Sequence, residues 1–221
     1  MSYRRSVATT GSDEPLGLDE AYAVQTPDDN RQLYAKWAQT YETGFVQAKA
    51  YEYHLHVADA LVAAPRPAGP VLDVGCGTGV VGQALRERGV EEIDGVDISP
   101  EMLEQAAVKG AYRQLIEADL TSGMAMPDDT YAGITSAGTF THGHLPPEPI
   151  AELIRVAKRG ARCCIGVNAA HYETFAFGAW LDRAVDAAHI EPYEIRRVKV
   201  YETSDAGVPD DMSNLVVFTV R

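Results

Sequence analysis

The rhythm of apolar and polar positions changes near residue 65. Before it the spacing is helical. Leu33, Trp37 and Tyr41 recur at four-residue intervals with Tyr34 beside them, and a second helical run covers 48–63. Asp28 and Asp29 suit the cap and first turn of the earlier helix. The stretch Pro65-Arg66-Pro67-Ala68-Gly69-Pro70 then ends any helix. Beyond it, short apolar runs alternate with amphipathic ones. Strands are expected at 71–74, 92–97, 112–117, 132–137 and 162–167. Helices are expected at 80–89, 100–109, 147–158 and 173–188. Ser99 should cap the helix that Pro100 opens. Two closing strands, 193–202 and 215–220, read as a terminal hairpin.

Strand–helix alternation of this kind predicts an α/β fold: a mainly parallel sheet covered by helices, with an antiparallel edge from the closing hairpin. Residues 1–17 are rich in Ser, Thr, Gly and acids and read as a flexible tail. Residues 18–66 form an N-terminal helical part, and 67–221 the core. Composition changes this picture little. The net charge is −13, from 32 acidic and 19 basic residues, which disfavours a nucleic-acid partner. Three cysteines without a spaced framework argue against a disulfide scaffold, and adjacent Cys163 and Cys164 should face opposite sides of a strand. Neither a membrane span nor a signal-peptide core is visible, so a cytoplasmic protein that does not bind membrane is expected.

The chemistry lies after the first strand, in Asp73-Val74-Gly75-Cys76-Gly77-Thr78-Gly79. Glycine allows a tight turn and close backbone approach to a ligand at the carboxyl end of the strands. A triphosphate loop needs Lys-Ser/Thr after its last glycine, and Val80-Val81 stand there instead. The dinucleotide fingerprint GxGxxG fails as well, because Gly79 comes one residue early. An acid followed by GxGxG is the pattern for S-adenosylmethionine (SAM), which carries no phosphate. Asp97 closes the second strand, 24 positions after Asp73, where a carboxylate can accept both ribose hydroxyls. Asp119 follows the third strand and suits the adenine amino group. Ile98 and Met102 are placed to pack on adenine.

With these residues in view, the stretch from about 71 to 160 resembles a class I SAM-dependent methyltransferase of the methyltransferase-11 type. More narrowly, Tyr34-Ala35-Lys36-Trp37-Ala38-Gln39-Thr40-Tyr41-Glu42 and Ser136-Ala137-Gly138-Thr139-Phe140-Thr141-His142-Gly143-His144 resemble the Williams–Beuren-region methyltransferase-like group. The resemblance implies a Rossmann-like fold with a mainly parallel seven-stranded sheet, an antiparallel C-terminal hairpin and an N-terminal helical lid. It implies SAM as cofactor, contacted by Tyr41, Asp73, Gly75, Cys76, Gly77, Gly79, Asp97, Ile98, Met102, Asp119, Leu120 and Ala137. One departure is Ala132 after Tyr131, where many relatives carry Asp.

The acceptor end is expected at the carboxyl ends of the fourth and fifth strands. Trp37, Phe140, His142, His144 and His171 are the substrate-pocket candidates. His142 or His144 is the candidate general base for an acceptor that must lose a proton. Their HxH spacing lacks further ligands, so no metal is assigned. The reaction expected is methyl transfer to a small molecule through O, N or S, by a monomer or homodimer. A SAM-binding lyase or cyclase, and a non-catalytic module using the same fold, are the alternatives.

Overall fold

The computed structural model describes residues 29, 31–33, 35, 38, 51–63, 65–141, 145–200 and 212–221. Its elements in chain order are α1 (Tyr53–Val62), β1 (Val71–Val74), α2 (Val80–Glu87), β2 (Ile93–Asp97) and α3 (Pro100–Val108). There follow β3 (Gln114–Glu117), a 3₁₀ turn at Leu120–Ser122, β4 (Tyr131–Phe140), α4 (Ile150–Val156) and β5 (Ala157–Asn168). The chain closes with α5 (Ala169–Thr174), α6 (Phe177–Asp186), β6 (Glu194–Lys199) and β7 (Met212–Thr219).

The strands form one sheet in the order β3-β2-β1-β4-β5-β7-β6. β1 is the third strand of the seven, parallel to both neighbours, with Val71 opposite Ile93 on β2 and Gly133 on β4. All four β1 residues are buried, as a short apolar strand covered on both faces should be. The order reverses beside β1, between β2 and β4. In open α/β sheets the crevice at such a reversal is where ligands bind, beyond the carboxyl ends of the strands.

Two apolar clusters cover the faces. Val57 and Leu61 of α1 pack with Val81 and Leu85 of α2 on one. Ile150 and Leu153 of α4 pack with Phe177 and Leu181 of α6 on the other. Cys163 falls in the second cluster and Cys164 in the first, on opposite faces as the alternation requires. α1 reaches the sheet closely. A Cβ at Gly133 would lie 3.1 Å from Leu61, and one at Gly166 would lie 1.9 Å from the Tyr53 hydroxyl. That hydroxyl is 2.6 Å from Ser213 Oγ, which donates to the Val167 carbonyl at 2.8 Å. The segment expected to belong with the lid thus supplies, in α1, a core layer instead.

Two further expectations change. β7 inserts between β5 and β6, antiparallel to both. The antiparallel strand is therefore internal, and the edge strand β6 runs with the others. The single helix expected at 173–188 is two helices that break at Phe175 and Ala176. Ala176 is left-handed at φ 51°. The break turns both Tyr172 and Phe177 inward, where their rings stack 5.8 Å apart. An unbroken helix could not place residues five apart on one face. Among the described residues, no helix is long and apolar enough to cross a membrane.

Candidate cofactor site

The loop after β1 is built from left-handed glycines: Gly75 at φ 63°, Gly77 at φ 51° and Gly79 at φ 88°. A side chain is strained in that conformation. Gly75 also has no room, since a Cβ there would meet Thr139 Oγ1 at 2.0 Å. Gly77 is the opposite case, for its Cβ would meet nothing within 4 Å among the described residues. With respect to those residues, the loop is pressed onto β4 at Gly75 and open at Gly77. Thr139 Oγ1 and Ser136 Oγ both donate to the Val74 carbonyl, at 3.0 and 2.9 Å. The Cys76 amide donates to the Val96 carbonyl at 3.0 Å.

Asp97 joins this loop to the end of β2. Its Oδ2 accepts the Gly77 amide at 2.8 Å, and its Oδ1 accepts the Ser99 amide at 2.9 Å. Burial pushes its pKa up, opposed by the amides of Ser99, Gly77 and Ile98. The residue is half-buried, so the carboxylate edge that the amides do not cover stays open to a ligand hydroxyl. Immediately after it, Ser99 caps α3 by accepting the Met102 amide, with Pro100 in the first turn, as the sequence predicts.

Asp73, expected to balance the cationic cofactor directly or through water, lies beneath the loop. Its side chain is fully buried. Oδ2 accepts the Tyr112 hydroxyl at 2.7 Å and Oδ1 accepts Thr135 Oγ1 at 3.3 Å. It props the loop from beneath. Burial raises its pKa to about 7, against the hydrogen bonds from Tyr112 and Thr135, while the nearby Asp97 charge adds to the rise. The folded chain therefore holds a proton between the ordinary value of 3.8 and about 7 that the unfolded chain has lost. This group's contribution to stability falls as pH rises through that window.

The other candidates divide. Ile98 is half-buried beside Asp97, and Ala137 is half-buried on β4. Asp119 caps the 3₁₀ turn, its Oδ1 accepting the Thr121 amide and hydroxyl at 2.8 and 2.7 Å. Its Oδ2 makes no hydrogen bond among the described residues. Leu120 packs against the core cluster. Cys76 points under the loop and is buried, with a thiol pushed well above its ordinary range by burial, so only its backbone faces the crevice. Met102 is buried at 1 % exposure and belongs to the packing of α3 rather than to an open adenine surface.

Phe140 and His171 are corrected as substrate-pocket residues. Phe140 is fully buried, edge-on to Phe177 at 5.9 Å. His171 is buried with its Nε2 2.8 Å from the Leu145 carbonyl and its ring 4.4 Å from Phe175. The apolar cluster on the α4–α6 face captures both. Tyr41, Trp37, His142 and His144 lie outside the described residues.

Tyr112, Thr135, Ser136 and Thr139 were not singled out in the sequence, yet they hold the loop. The available signal was the pair Gly82 and Gly95. Gly82 lies inside a helix, where it costs about 1 kcal/mol relative to alanine, and Gly95 lies inside a strand. A Cβ at either would strike the Tyr112 ring, at 2.2 and 3.0 Å. Such glycines mark the close approach of a bulky neighbour.

The site fits SAM by three observations: the open cradle at Gly77, the half-buried acid bridging the loop to β2, and Thr78. Among the described residues, the Thr78 hydroxyl is buried without a hydrogen-bond partner. An orphaned hydroxyl of this kind calls for one.

Comparison with known proteins agrees. Residues 71–160 match the family described as a methyltransferase domain. The chain is 35% identical over 137 residues to human methyltransferase-like protein 27, covering 60% of this chain and 55% of that protein. It is 34% identical over 104 residues to demethylmenaquinone methyltransferase of Symbiobacterium thermophilum, covering 44% of this chain and 41% of the relative. The chain thus spans about half the length of the curated relatives it matches. The SAM-bound magnesium protoporphyrin IX methyltransferase of Synechocystis shares the fold. Its TM-score is 0.61 at 19% identity, over 90% of this chain and 99% of that one. The glycine loop, the acid at the end of β2 and the matched domain converge: residues 71–160 are a methyltransferase domain, in a chain with the class I SAM-dependent methyltransferase fold and a site that fits SAM.

Proposed function

We propose that this chain binds SAM across the carboxyl ends of β1, β2 and β3 and methylates a small-molecule acceptor through O, N or S. The observation that carries the reading is Asp97, held by the amides of Gly77 and Ser99 so that one carboxylate serves both loop and ligand. When bound, SAM supplies a methyl carbon made electrophilic by its sulfonium. The chain's own part is alignment and exclusion of water. Gly77 lets backbone approach the amino-acid end, Asp97 accepts the ribose hydroxyls, Ile98 packs beside adenine, and Asp119 Oδ2 accepts the adenine amino group.

The N-terminal helical segment serves as the lid in this reading. Arg31 Nε lies 3.4 Å from the Ile98 carbonyl, which brings that segment to the adenosine end. Trp37 and Tyr41 follow on the same segment, and their aromatic faces suit a sulfonium cation. The acidic balance of 32 to 19 favours a neutral or cationic metabolite over a nucleic acid.

Calorimetric titration with SAM and S-adenosylhomocysteine tests the donor side, with micromolar binding of both expected. Failure of both to bind overturns the reading. Accumulation of S-adenosylhomocysteine with a candidate acceptor marks methyl transfer and separates it from lyase or cyclase chemistry. His142 or His144 takes the proton where the acceptor must lose one. His142→Ala and His144→Ala are accordingly expected to keep SAM affinity while at least one loses roughly 10²-fold or more in turnover. Unchanged turnover in both removes the base role.

A further inference from the structure

Tyr112 delivers one hydroxyl to two partners of the loop. It donates to Asp73 Oδ2 at 2.7 Å and accepts the Gly82 amide at 3.1 Å. Gly82 is the third residue of α2, and its amide is among those that a helix start leaves unpaired. Helices usually meet this need with Ser, Thr, Asp or Asn at the N-cap. Here the N-cap is Gly79, left-handed and without a side chain. The phenol supplies the missing acceptor from 30 residues further along the chain. Its ring also fills the space above three glycines. A Cβ at Gly79, Gly82 or Gly95 would come within 2.9, 2.2 or 3.0 Å of it.

We propose that Tyr112 is a positioning residue of the cofactor site, a cap delivered through tertiary structure that sets the start of α2 and the glycine loop against Asp73. The proposal rests on the cofactor reading above and goes beyond it by assigning the residue that holds the loop. Among the described residues, the groups facing Asp73 are Tyr112, Thr135 on β4, the Gly82 amide on α2, Cys76 in the loop and Asp97 across it. None of them is cationic, and both hydroxyls donate to the carboxylate. A cationic ligand above the loop favours the ionised form, which burial opposes until about pH 7. SAM affinity should therefore decline as pH falls through that region. Removing the phenol hydroxyl takes away a donor, raises the Asp73 titration further and extends the decline to higher pH.

The test is calorimetric titration of SAM against the wild-type chain, Tyr112→Phe, Asp73→Asn and the double variant, from pH 6 to about 8.5. Thermal melts run alongside establish that each variant is folded. Tyr112→Phe is expected to bind about tenfold more weakly at pH 7 and to approach wild type within roughly threefold at the alkaline end. Asp73→Asn should remove this part of the pH dependence, and adding Tyr112→Phe to it should shift nothing further along the pH axis. The amino group of SAM titrates identically in every arm. A uniform loss at all pH values, or wild-type affinity with a wild-type profile in Tyr112→Phe, overturns the proposal. If Tyr112→Phe does not fold, an unaltered pH profile in Asp73→Asn overturns it. Absence of binding by the wild-type chain overturns the cofactor reading and this one with it. Binding by wild type with an unchanged Tyr112→Phe overturns this one alone.

Discussion

Replacing Asp97 with alanine is expected to weaken SAM binding by about 10²- to 10⁴-fold while leaving the chain folded. The carboxylate offers lone pairs to two ribose hydroxyls, and hydrogen bonds to a charged group contribute about 1.5–3 kcal/mol each. Their joint loss, at about 1.4 kcal/mol per tenfold, spans that range. A second effect adds to it. The Gly77 and Ser99 amides lose their acceptor, and among the described residues the open glycine at position 77 has no other tie to β2. Asp97→Asn should do little better, because its amide group would direct a donor at one of those two amides. Asp119→Ala is the contrasting arm. It removes one acceptor for adenine, and the expected loss is about tenfold. Calorimetry measures all three, with thermal melting as the check on folding. Binding by Asp97→Ala within tenfold of wild type would remove Asp97 from the ribose site.

Asp94→Ala is expected to lower stability by about 3 kcal/mol. Asp94 lies three residues before Asp97 on the same strand and is fully buried. It accepts Arg113 Nε and Nη2 at 3.0 and 2.8 Å, Gln114 Nε2 at 2.8 Å and the Tyr131 hydroxyl at 3.0 Å. Arg113 is partly exposed and can turn to water, aided by Glu92 at 2.7 Å. Tyr131 is buried and cannot, so its hydroxyl is left unpaired. For a chain of this size each kcal/mol moves the melting midpoint by about 2–4 °C. The expected drop is therefore about 6–12 °C.

The acid limb of stability gives a second check on this residue. Burial pushes the Asp94 pKa up, but Arg113, Gln114 and Tyr131 outweigh it and hold the carboxyl below 3.8. Its stabilisation is present above that ordinary value and is lost as pH falls through the lower folded value. The difference in melting temperature between wild type and Asp94→Ala should therefore narrow below about pH 4. A constant difference down to pH 2 would locate the loss in packing instead.

Much of the donor site was legible because its signals are local. Gly75, Gly77 and Gly79 advertise a backbone that only glycine adopts easily. Ser99-Pro100 advertises a helix start within three residues. Asp97 stands at the end of an apolar run. Each depends on neighbours a few positions away, and the sequence lists those neighbours in order. The succession of strands and helices follows from the same short-range periodicity, as does the opposed burial of Cys163 and Cys164.

What the glycine loop rests on belongs to the tertiary structure. Tyr112 reaches Asp73 across 39 positions, Thr139 reaches Val74 across 65, and Thr135 reaches Asp73 across 62. No periodicity encodes which of several hydroxyls will arrive beneath a given carboxylate, because that follows from sheet register. The same reasoning applies to Phe140 and His171. Their sequence neighbourhood places them at the ligand-binding end of the strands, and the break at Ala176 with the packing of Phe177 draws them into the core. The partner of β7 is likewise undetermined locally, since a β6–β7 hairpin looks alike whichever of its strands meets β5. The sequence by itself determined the kind of loop and the kind of cofactor. Only the folded sheet decided that Asp73 supports the loop from below while Asp97 faces the crevice, because one register buries the first carboxylate and leaves the second at the strand end.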